Sequence, residues 1–445
     1  MHDKTVIDAL RAALERRPDG AIAVGFSGGM DSTVLLHALA GIPEARASGL
    51  RAVHVDHSLH PESATWAQRC AAFAAQIEIP FESVAVVVQV GTGHGLEAAA
   101  RAARHAALGS LLRGGELLAL AHHRDDQAET ILLKLLRGAG PEGLGGMRAL
   151  RQCGKGYLWR PLLDAPRACL LAYATQHGLP WIEDPSNGDL RLSRNFLRRE
   201  ILPRLTQHWP AATTALAHSA AWARHAGDFI AMQAAEALAT LRGPDPATLA
   251  WRGWLDLPDA LRDPVLRLWL RDLKRDEPAH FHVAELERQL RDAAADRNPC
   301  VCWDRTEVRR YRDLMHAMQR LDPLPEAWRS VWNGSALRLP CGGSLALLDA
   351  NGRELKVAGL DVRLRNGGEK LRPAGTAHRR ELRLLLQEAG IPPWQRARVP
   401  LVFENGELIA AGDVILSDAA RVLCARLDAR IVWHGGVAQH PLSAD

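Results

Sequence analysis

Residues 27–32 have the types and order of an anion-binding turn. The run SGGMDS consists of Ser27, Gly28, Gly29, Met30, Asp31 and Ser32. Apolar residues 21–26 (AIAVGF) before it predict a buried parallel strand, and residues 32–40 (STVLLHALA) predict a helix. A glycine-rich turn between a strand and a helix directs backbone N–H groups and the positive end of the helix dipole at one point. We therefore predict that this turn binds phosphate.

The same turn lacks the lysine of the G-x-x-x-x-G-K-[ST] loop, so the ordinary kinase and ATPase cradle does not fit. It instead resembles the PP-loop of the N-type ATP pyrophosphatases, which split ATP between its α and β phosphates and adenylate a substrate. This resemblance predicts ATP as a cosubstrate. Asp31 is placed to hold a Mg²⁺ ion that bridges phosphates, because Mg²⁺ takes only one or two carboxylates. Capping of the following helix is the alternative role for Asp31.

A second group of acids opens a helix at residues 125–130 (DDQAET). Asp126 and Glu129 lie three residues apart and so share one helix face. Acids in a first helical turn also suit the helix dipole, which is the structural alternative. His122 and His123 precede them at the end of a predicted strand. We predict that Asp126 and Glu129 are catalytic and that Asp126 is a second Mg²⁺ ligand, since cationic groups are attracted there.

Histidines and one further acid follow the predicted strands. His54 lies near the end of the predicted strand over residues 50–55, and Asp56 directly follows that strand. We predict that these two residues and His122 bind the nucleotide. The histidines also raise the alternative of a zinc site, but their spacings match no metal signature. Arg104 lies one turn from Arg101 on a predicted helix, where it is placed to hold the α-phosphate. An exposed solvated pair explains the same spacing.

The elements that position these residues alternate between strands and helices up to about residue 180. This order predicts a doubly wound parallel sheet with its ligand at the carboxyl ends of the strands, where the three motifs converge. Residues 138–156 predict a mobile loop. Residues 211–320 predict helices, and residues after Pro325 predict short alternating strands. The predicted fold is therefore α/β: a PP-loop ATPase domain (1–215), a helical tRNA-binding domain (216–325) and a small mixed α/β C-terminal domain for tRNA recognition (337–445).

Composition limits the class of protein. The chain has 445 residues, 47% of them hydrophobic and 24% charged, and no apolar run of membrane-spanning length. Its seven cysteines are an odd number without dense spacing, which favours reduced thiols in a cytoplasm. The closest pair is Cys300 and Cys302, and C-x-x-C is absent. Thiolating and iron–sulfur enzymes usually need such pairs, so we expect neither. No membrane partner is expected.

Two basic segments stand out in a chain with a net charge of only +4. The first contains Arg194 and Arg198, and the second, over residues 370–398, contains Lys370, Arg372, Arg379 and Arg380. Local clusters of cations on a nearly neutral chain favour contact with nucleic acid. Solvated arginine-rich faces are the alternative.

Several motifs together resemble the tRNA(Ile)-lysidine synthase family. They are SGGMDS, HVDHSL, AHHRDDQAET, residues 160–163 (RPLL), 181–187 (WIEDPSN), 194–198 (RNFLR), 370–373 (KLRP) and 384–396 (LLLQEAGIPPWQR). The likeness extends over nearly the whole chain, and its DDQAET, EDPSN and IPPW elements are specific. Ser58 departs from the pattern, since the family more often has glycine there.

The resemblance implies a two-step reaction on the wobble cytidine of a CAU-anticodon isoleucine tRNA. ATP first activates C2 of the base as an adenylate with release of pyrophosphate. The ε-amine of free lysine then displaces AMP and forms lysidine. Two other classes stay open at this point: a PP-loop ligase for a small molecule, and a non-catalytic tRNA-binding protein with a relic nucleotide site. The sequence also leaves open a homodimer and a C-terminal domain that serves only dimerisation or stability.

Overall fold

The computed structural model describes residues 2–56, 62–86, 109–294 and 297–434. The chain divides into two compact units, residues 1–231 and 232–445. The division falls inside a long helix, Ala212–Leu241. The finer boundaries at residues 215, 325 and 337 stay predictions.

One mixed sheet organises the first unit. Its described strands are β1 (Ile22–Gly25), β2 (Leu50–Asp56), β3 (Phe81–Ala85), β4 (Leu117–Ala119), β5 (Leu150–Cys153) and β6 (Gly156–Trp159). They are ordered β3-β2-β1-β4-β6-β5, and all neighbours are parallel except β5 and β6. The strand order reverses at β1, which has β2 on one side and β4 on the other. This confirms the predicted doubly wound sheet, with an added antiparallel edge, and puts the ligand crevice beyond β1.

Helices cover this sheet. Those described are α1 (His2–Glu15), α2 (Met30–Ala40), α3 (Pro43–Ala47), α4 (Ser63–Gln76), α5 (Arg124–Leu135), α6 (Pro141–Leu144), α7 (Arg167–Gln176), α8 (Ser193–Phe196), α9 (Leu202–His208) and α10 (Ala212–Leu241). A π-helical turn over Leu197–Ile201 joins α8 to α9. Most of α2 is buried, including Leu35, Leu36 and Leu39. A helix that is apolar on all sides needs cover on all sides, and α2 therefore sits in the core of the unit.

Residues 138–156 are not the mobile loop that their glycines predict. They form α6, β5 and the start of β6. The amide of Gln127 fixes this segment, because it donates to the Met147 carbonyl at 3.0 Å and accepts from the Met147 N–H at 2.8 Å. Gly146 has a φ of +66° and approaches the Gln127 side chain closely, so glycine serves tight packing here.

The second unit begins with helices and a four-stranded sheet. Its helices are α11 (Trp251–Leu255), α12 (Asp259–Asp272) and α13 (His280–Asp292), and its strands are β7 (Thr248–Ala250), β8 (Cys300–Trp303), β9 (Thr306–Tyr311) and β10 (Leu314–Gln319). The strands are ordered β7-β10-β9-β8. The predicted helical region is present but ends at Asp292, earlier than the expected residue 320. Residues 300–319 are strands because burial alternates along them, as in β10, where Met315 and Ala317 face the core.

The C-terminal part is small, mixed and rich in strands, as predicted. Its strands are β11 (Arg329–Trp332), β12 (Leu337–Arg338), β13 (Ser344–Asp349), β14 (Leu360–Arg363), β15 (Lys370–Leu371), β16 (Arg380–Glu381), β17 (Leu401–Glu404), β18 (Glu407–Ala411), β19 (Ile415–Leu416) and β20 (Ala429–His434). Its helices are α14 (Leu382–Glu388), α15 (Pro393–Arg396) and α16 (Asp418–Arg426). Sheets ordered β11-β14-β17-β18-β19 and β12-β13-β20 share one apolar core. No helix in the described residues is both long and apolar enough to cross a bilayer.

A buried ion pair joins Arg51 of β2 to Glu116, the residue that precedes β4. Arg51 on β2 donates to both carboxylate oxygens of Glu116, at 2.7 and 2.8 Å, and also contacts Glu82 on β3. Glu116 is buried, whereas the side chain of Glu82 is 44% exposed. Burial opposes the charge of Glu116, but hydrogen bonds from Arg51 and the Arg113 N–H lower its pKa overall. The charged form is therefore the one that the fold stabilises.

We expect Glu116→Gln to lower the free energy of unfolding by about 3 kcal/mol, because it removes the buried charge partner of a buried guanidinium. The matched variant Glu82→Gln removes an exposed partner of the same arginine and should cost about 1 kcal/mol or less. Urea unfolding at neutral pH measures both. Since the lowered pKa of Glu116 makes its contribution disappear as pH falls through the folded value, the variants should differ less in acid. Equal costs at neutral pH would contradict the role of this pair.

Candidate active site

The turn predicted to bind phosphate links β1 to α2. Gly29 is the N-cap of α2 and, having no side chain, leaves the N–H groups of the first turn without a side-chain cap. Gly28 has a φ of +81°, and a Cβ there would lie 2.7 Å from Ile182 and 2.8 Å from the Cys70 sulfur. Glycine is therefore required at this position both by backbone conformation and by space.

Two serines brace this turn from within. The hydroxyls of Ser27 and Ser32 lie 3.1 Å apart, and Ser32 donates to the Gly29 carbonyl at 2.9 Å. The backbone N–H of Ser27 donates to the Ser32 hydroxyl at 3.3 Å. Thr33 adds a bond to the Gly29 carbonyl at 3.0 Å. These bonds preorganise the turn that follows the carboxyl end of β1.

The predicted nucleotide residues of β2 occupy two different environments. His54 is buried, and its Nδ1 lies 2.8 Å from the Phe26 carbonyl, so it braces β2 against the end of β1. Asp56 is half-buried at the carboxyl end of β2. Both lie at the predicted sheet edge, and their contact with nucleotide stays a prediction.

His123 is the meeting point of the two acidic motifs, and the sequence did not single it out as a site residue. It is the N-cap of α5: its N–H donates to Asp126 Oδ2 at 3.1 Å, and its Nδ1 lies 3.4 Å from the Asp126 backbone nitrogen. Its Nε2 lies 3.4 Å from Asp126 Oδ2 and 3.7 Å from Asp31 Oδ2. The fully buried imidazole thus brings the PP-loop acid and the α5 acid to one point. Its place directly before the first helical turn was the available signal.

The charges around His123 favour its protonated form. Burial alone would lower the pKa of His123, but Asp31, Asp126 and Asp125 together raise it above the ordinary value. Oδ1 of Asp31 is buried and has no hydrogen-bond partner among the described residues. A buried carboxylate oxygen in that state is available to a ligand such as an ion or water.

Glu129 is fully buried and forms ion pairs with two arginines. Arg194 donates to Oε2 at 2.8 Å, and Arg198 donates to Oε1 at 2.6 Å. Arg198 also donates to Oδ1 of Asp126 at 2.8 Å. Burial opposes the charge of Asp126, but its cationic neighbours lower its pKa overall, with His123 the largest of them. Asp126 and Glu129 do share one face of α5, as predicted.

Arg194 and Arg198 were predicted to contact tRNA, and the structure places their guanidiniums against these acids. They reach α5 from α8 and the π-helical turn that follows it. A π-helical turn is a costly irregularity that is frequent at functional sites. Here it brings Arg198 within reach of both Asp126 and Glu129. Contact of either arginine with RNA stays a prediction.

The remaining predicted residues lie apart from this cluster or outside the described residues. His122 Nδ1 accepts from Arg160 at 3.2 Å. Arg104 and its neighbour Arg101 lie outside the described residues. Arg379 pairs with Glu407 at 2.6 Å, and Arg380 pairs with Glu388 at 2.5 Å. The four predicted cations of the second unit (Lys370, Arg372, Arg379 and Arg380) are all exposed.

Three families match successive parts of the chain. Residues 2–205 match the PP-loop domain, residues 249–316 the TilS substrate binding domain, and residues 360–433 the TilS substrate C-terminal domain. The cluster of Asp31, His123, Asp126 and Glu129 lies within the first match. The exposed cations of the second unit lie within the third.

Curated relatives match almost the whole chain, and each is named tRNA(Ile)-lysidine synthase. The protein from Xanthomonas axonopodis pv. citri is 45% identical over 91% of this chain and 92% of its own length. The protein from Xylella fastidiosa strain Temecula1 is 44% identical over 90% and 92%. The protein from Pseudomonas aeruginosa is 43% identical over 93% and 94%.

The environment of His123 predicts a pH dependence of stability. Because its pKa is raised in the folded state, its contribution is complete below the unfolded value of 6.5 and is lost as pH rises through the folded value. We expect the free energy of unfolding to fall as pH rises above 6.5, and His123→Asn, which keeps an N-cap side chain, to reduce that fall. Urea unfolding at three pH values measures this. His218→Asn, at an exposed position in α10, is the control and should keep the wild-type slope. An unchanged slope in His123→Asn would refute the charged imidazole.

Proposed function

From its membership of the tRNA(Ile)-lysidine synthase family, to which this chain belongs, we propose roles for the residues of the acid–arginine cluster. The protein is an ATP-dependent tRNA-modifying enzyme of the PP-loop class. We propose that its substrates are isoleucine tRNA with a CAU anticodon, ATP and free lysine, and that its products are lysidine-containing tRNA, AMP and pyrophosphate. The observation that carries the site assignment is the meeting of Asp31 and Asp126 at the buried His123.

In the first step, the oxygen at C2 of the wobble cytidine attacks the α-phosphorus of ATP, and pyrophosphate leaves. Negative charge develops on the leaving group and must be neutralised by groups that are already in place. The N–H groups of the turn from Gly28 to Ser32 and the N-terminus of α2 supply this, since the turn is braced and carries no side-chain cap. Arg104 stays a prediction for the α-phosphate.

Magnesium fits this site through Asp31. The buried Oδ1 of Asp31 lacks a hydrogen-bond partner among the described residues, and an oxygen ligand of this kind suits Mg²⁺. Bound Mg²⁺ would supply neutralisation of phosphate charge. Asp126 was predicted as a second ligand, but its oxygens accept from Arg198 and from the His123 N–H. We therefore propose Asp31 as the ligand and Asp126 as the residue that orients His123 beside it.

In the second step, the ε-amine of lysine attacks C2, the C–O bond to AMP breaks, and the amine loses a proton. An acid-rich site attracts the cationic side chain of lysine, and holding the amine close to C2 supplies most of the acceleration. Both oxygens of Glu129 accept from guanidiniums. We therefore propose that Glu129 is a positioning residue, which holds Arg194 and Arg198 in place, rather than the group that accepts the proton.

Recognition of tRNA is assigned to the second unit. Methionine tRNA also carries a CAU anticodon, so contacts elsewhere on the tRNA must supply specificity. The substrate-domain matches over 249–316 and 360–433 support this assignment, as do the exposed cations Lys370 and Arg372. These matches disfavour a ligase for a small molecule. A cytoplasmic location and a homodimer stay predictions.

We expect Asp31→Asn to reduce tRNA-dependent release of pyrophosphate by at least about 100-fold, because it removes charge from the only carboxylate proposed to hold Mg²⁺. Asp164→Asn, at an exposed position in the same unit, is the control and should release pyrophosphate at the wild-type rate. Urea unfolding confirms that both variants are folded. Wild-type activity in Asp31→Asn, at low as well as high Mg²⁺ concentration, would remove Asp31 from the site.

The exposed cations of the second unit predict that the affinity for tRNA falls as salt concentration rises. We expect Arg379→Gln with Arg380→Gln to weaken tRNA binding and to reduce the slope of log K against log salt concentration by about 1 to 2, since each phosphate contact contributes about 0.7 to 0.9. The matched variant Glu388→Gln with Glu407→Gln removes the carboxylates that pair with these arginines and should not weaken binding. Filter binding over a range of salt concentrations measures both. An unchanged slope in the arginine variant would favour a purely structural role for this surface.

A further inference from the structure

One group of potential metal ligands lies far in sequence from the residues of the proposed active site and has no role in the proposed reaction. Cys300 and Cys302 stand two residues apart on β8, so their side chains project from the same face of the sheet. Their sulfur atoms lie 3.5 Å apart. In the antiparallel register, Glu307 of β9 lies directly opposite Cys302, and Arg309 lies opposite Cys300. All four side chains therefore meet on one face of the β8–β9 hairpin.

The hairpin geometry points to a metal site, and we propose that Cys300, Cys302 and Glu307 bind a thiophilic divalent cation of the Zn²⁺ type. The two sulfurs and a carboxylate oxygen lie within 4.8 Å of one another. Cys302 Sγ lies 3.9 Å from Oε2 of Glu307. Tetrahedral Zn²⁺ with Zn–S bonds of about 2.3 Å separates two sulfurs by about 3.8 Å, so the side chains need to move little.

Charge balance supports a divalent ion. Two thiolates and one carboxylate carry three negative charges. Arg309 donates hydrogen bonds of 2.9 and 3.2 Å to Glu307, and its positive charge offsets one of the three. A divalent cation brings the total to zero. Arg309 also holds the carboxylate in position, as residues behind a metal ligand commonly do. Binding forms two metal–sulfur bonds and releases two thiol protons to solvent, so affinity should rise with pH.

The donor set and its exposure define which ions fit. Sulfur ligands select Zn²⁺ and similar soft ions over Mg²⁺ and Ca²⁺, which prefer oxygen. Glu307 is buried and therefore fixed, whereas Cys302 is exposed and gives the ion a path of entry. Three protein ligands leave a fourth tetrahedral position to water or to a donor from a bound molecule. The site is thus separate in chemistry from the proposed Mg²⁺ site at Asp31.

Cobalt titration of the full-length, metal-stripped protein under a non-thiol reductant tests the proposal. We expect one equivalent of Co²⁺ to produce a thiolate-to-metal charge-transfer band and the strong visible bands of tetrahedral Co²⁺, and Zn²⁺ to abolish them. Competition with a chromophoric chelator then gives the Zn²⁺ affinity. Cys302→Ser changes an exposed residue and should fold normally, yet it should weaken Zn²⁺ binding by about 100-fold or more.

The double variant Cys341→Ser with Cys424→Ser removes two other thiols of the same unit and is the matched control. It should keep the wild-type spectrum and affinity. The proposal is overturned if the wild-type protein shows no saturable tetrahedral Co²⁺ spectrum, or if Cys302→Ser or Cys300→Ser with Cys302→Ser binds as tightly as the wild type. It is equally overturned if the control variant is the one that loses binding.

Discussion

The first unit depends on one constraint: ionised groups taken out of water must be paired. Glu129 is fully buried and Asp126 nearly so, and an unpaired carboxylate in such a place would cost several kcal/mol. Arg194 and Arg198 meet this need from a segment about 65 residues later in the chain. The pairing fixes α5 against α8, and through His123 it fixes the start of α5 against the PP-loop. The paired charges therefore hold the site together, and Asp31 beside them is the residue proposed to hold Mg²⁺.

Pairing also accounts for the division of roles within the cluster. Carboxylate oxygens that already accept from guanidiniums, as in Glu129, hold neighbours in place. The one buried carboxylate oxygen that lacks a hydrogen-bond partner among the described residues is Oδ1 of Asp31, in the loop proposed to bind phosphate. Preorganisation of this kind is usually the largest contribution to transition-state stabilisation, because groups that are fixed beforehand need not reorganise when charge develops.

In the second unit, aromatic and cationic contacts join the two regions that match substrate domains. The Trp394 ring lies 6.1 Å from Tyr311 and 5.3 Å from His316, both edge-on, and the Arg309 guanidinium lies 5.5 Å from its centroid. Arg312 of the β9–β10 hairpin also donates to the Gln387 carbonyl at 3.0 Å. Residues 249–316 and 360–433 thus belong to one compact unit, and Arg309 connects this contact to the proposed metal ligand Glu307.

Elements whose signals are local could be predicted from the amino-acid sequence. The SGGMDS turn between an apolar strand and a helix predicted the phosphate loop, and alternation of strands and helices predicted the doubly wound sheet. Specific motifs such as DDQAET and IPPW predicted the family. Each of these signals lies within a few neighbouring residues, because turn conformation, helix capping and hydrophobic periodicity are properties of short segments.

The pairing of charged side chains could not be predicted from the sequence, because it depends on the packing of segments remote in the chain. Arg194 and Arg198 have the composition of an RNA-binding helix, but the π-helical turn and the packing of α8 place them against Glu129. Residues 138–156 have the glycines of a mobile loop, but the Gln127 amide fixes them beside α5. Residues 300–319 were expected to be helical and form strands. The reason is common to all three cases. The free energy that stabilises each arrangement comes from burial and from partners remote in sequence, and a local sequence pattern does not identify those partners.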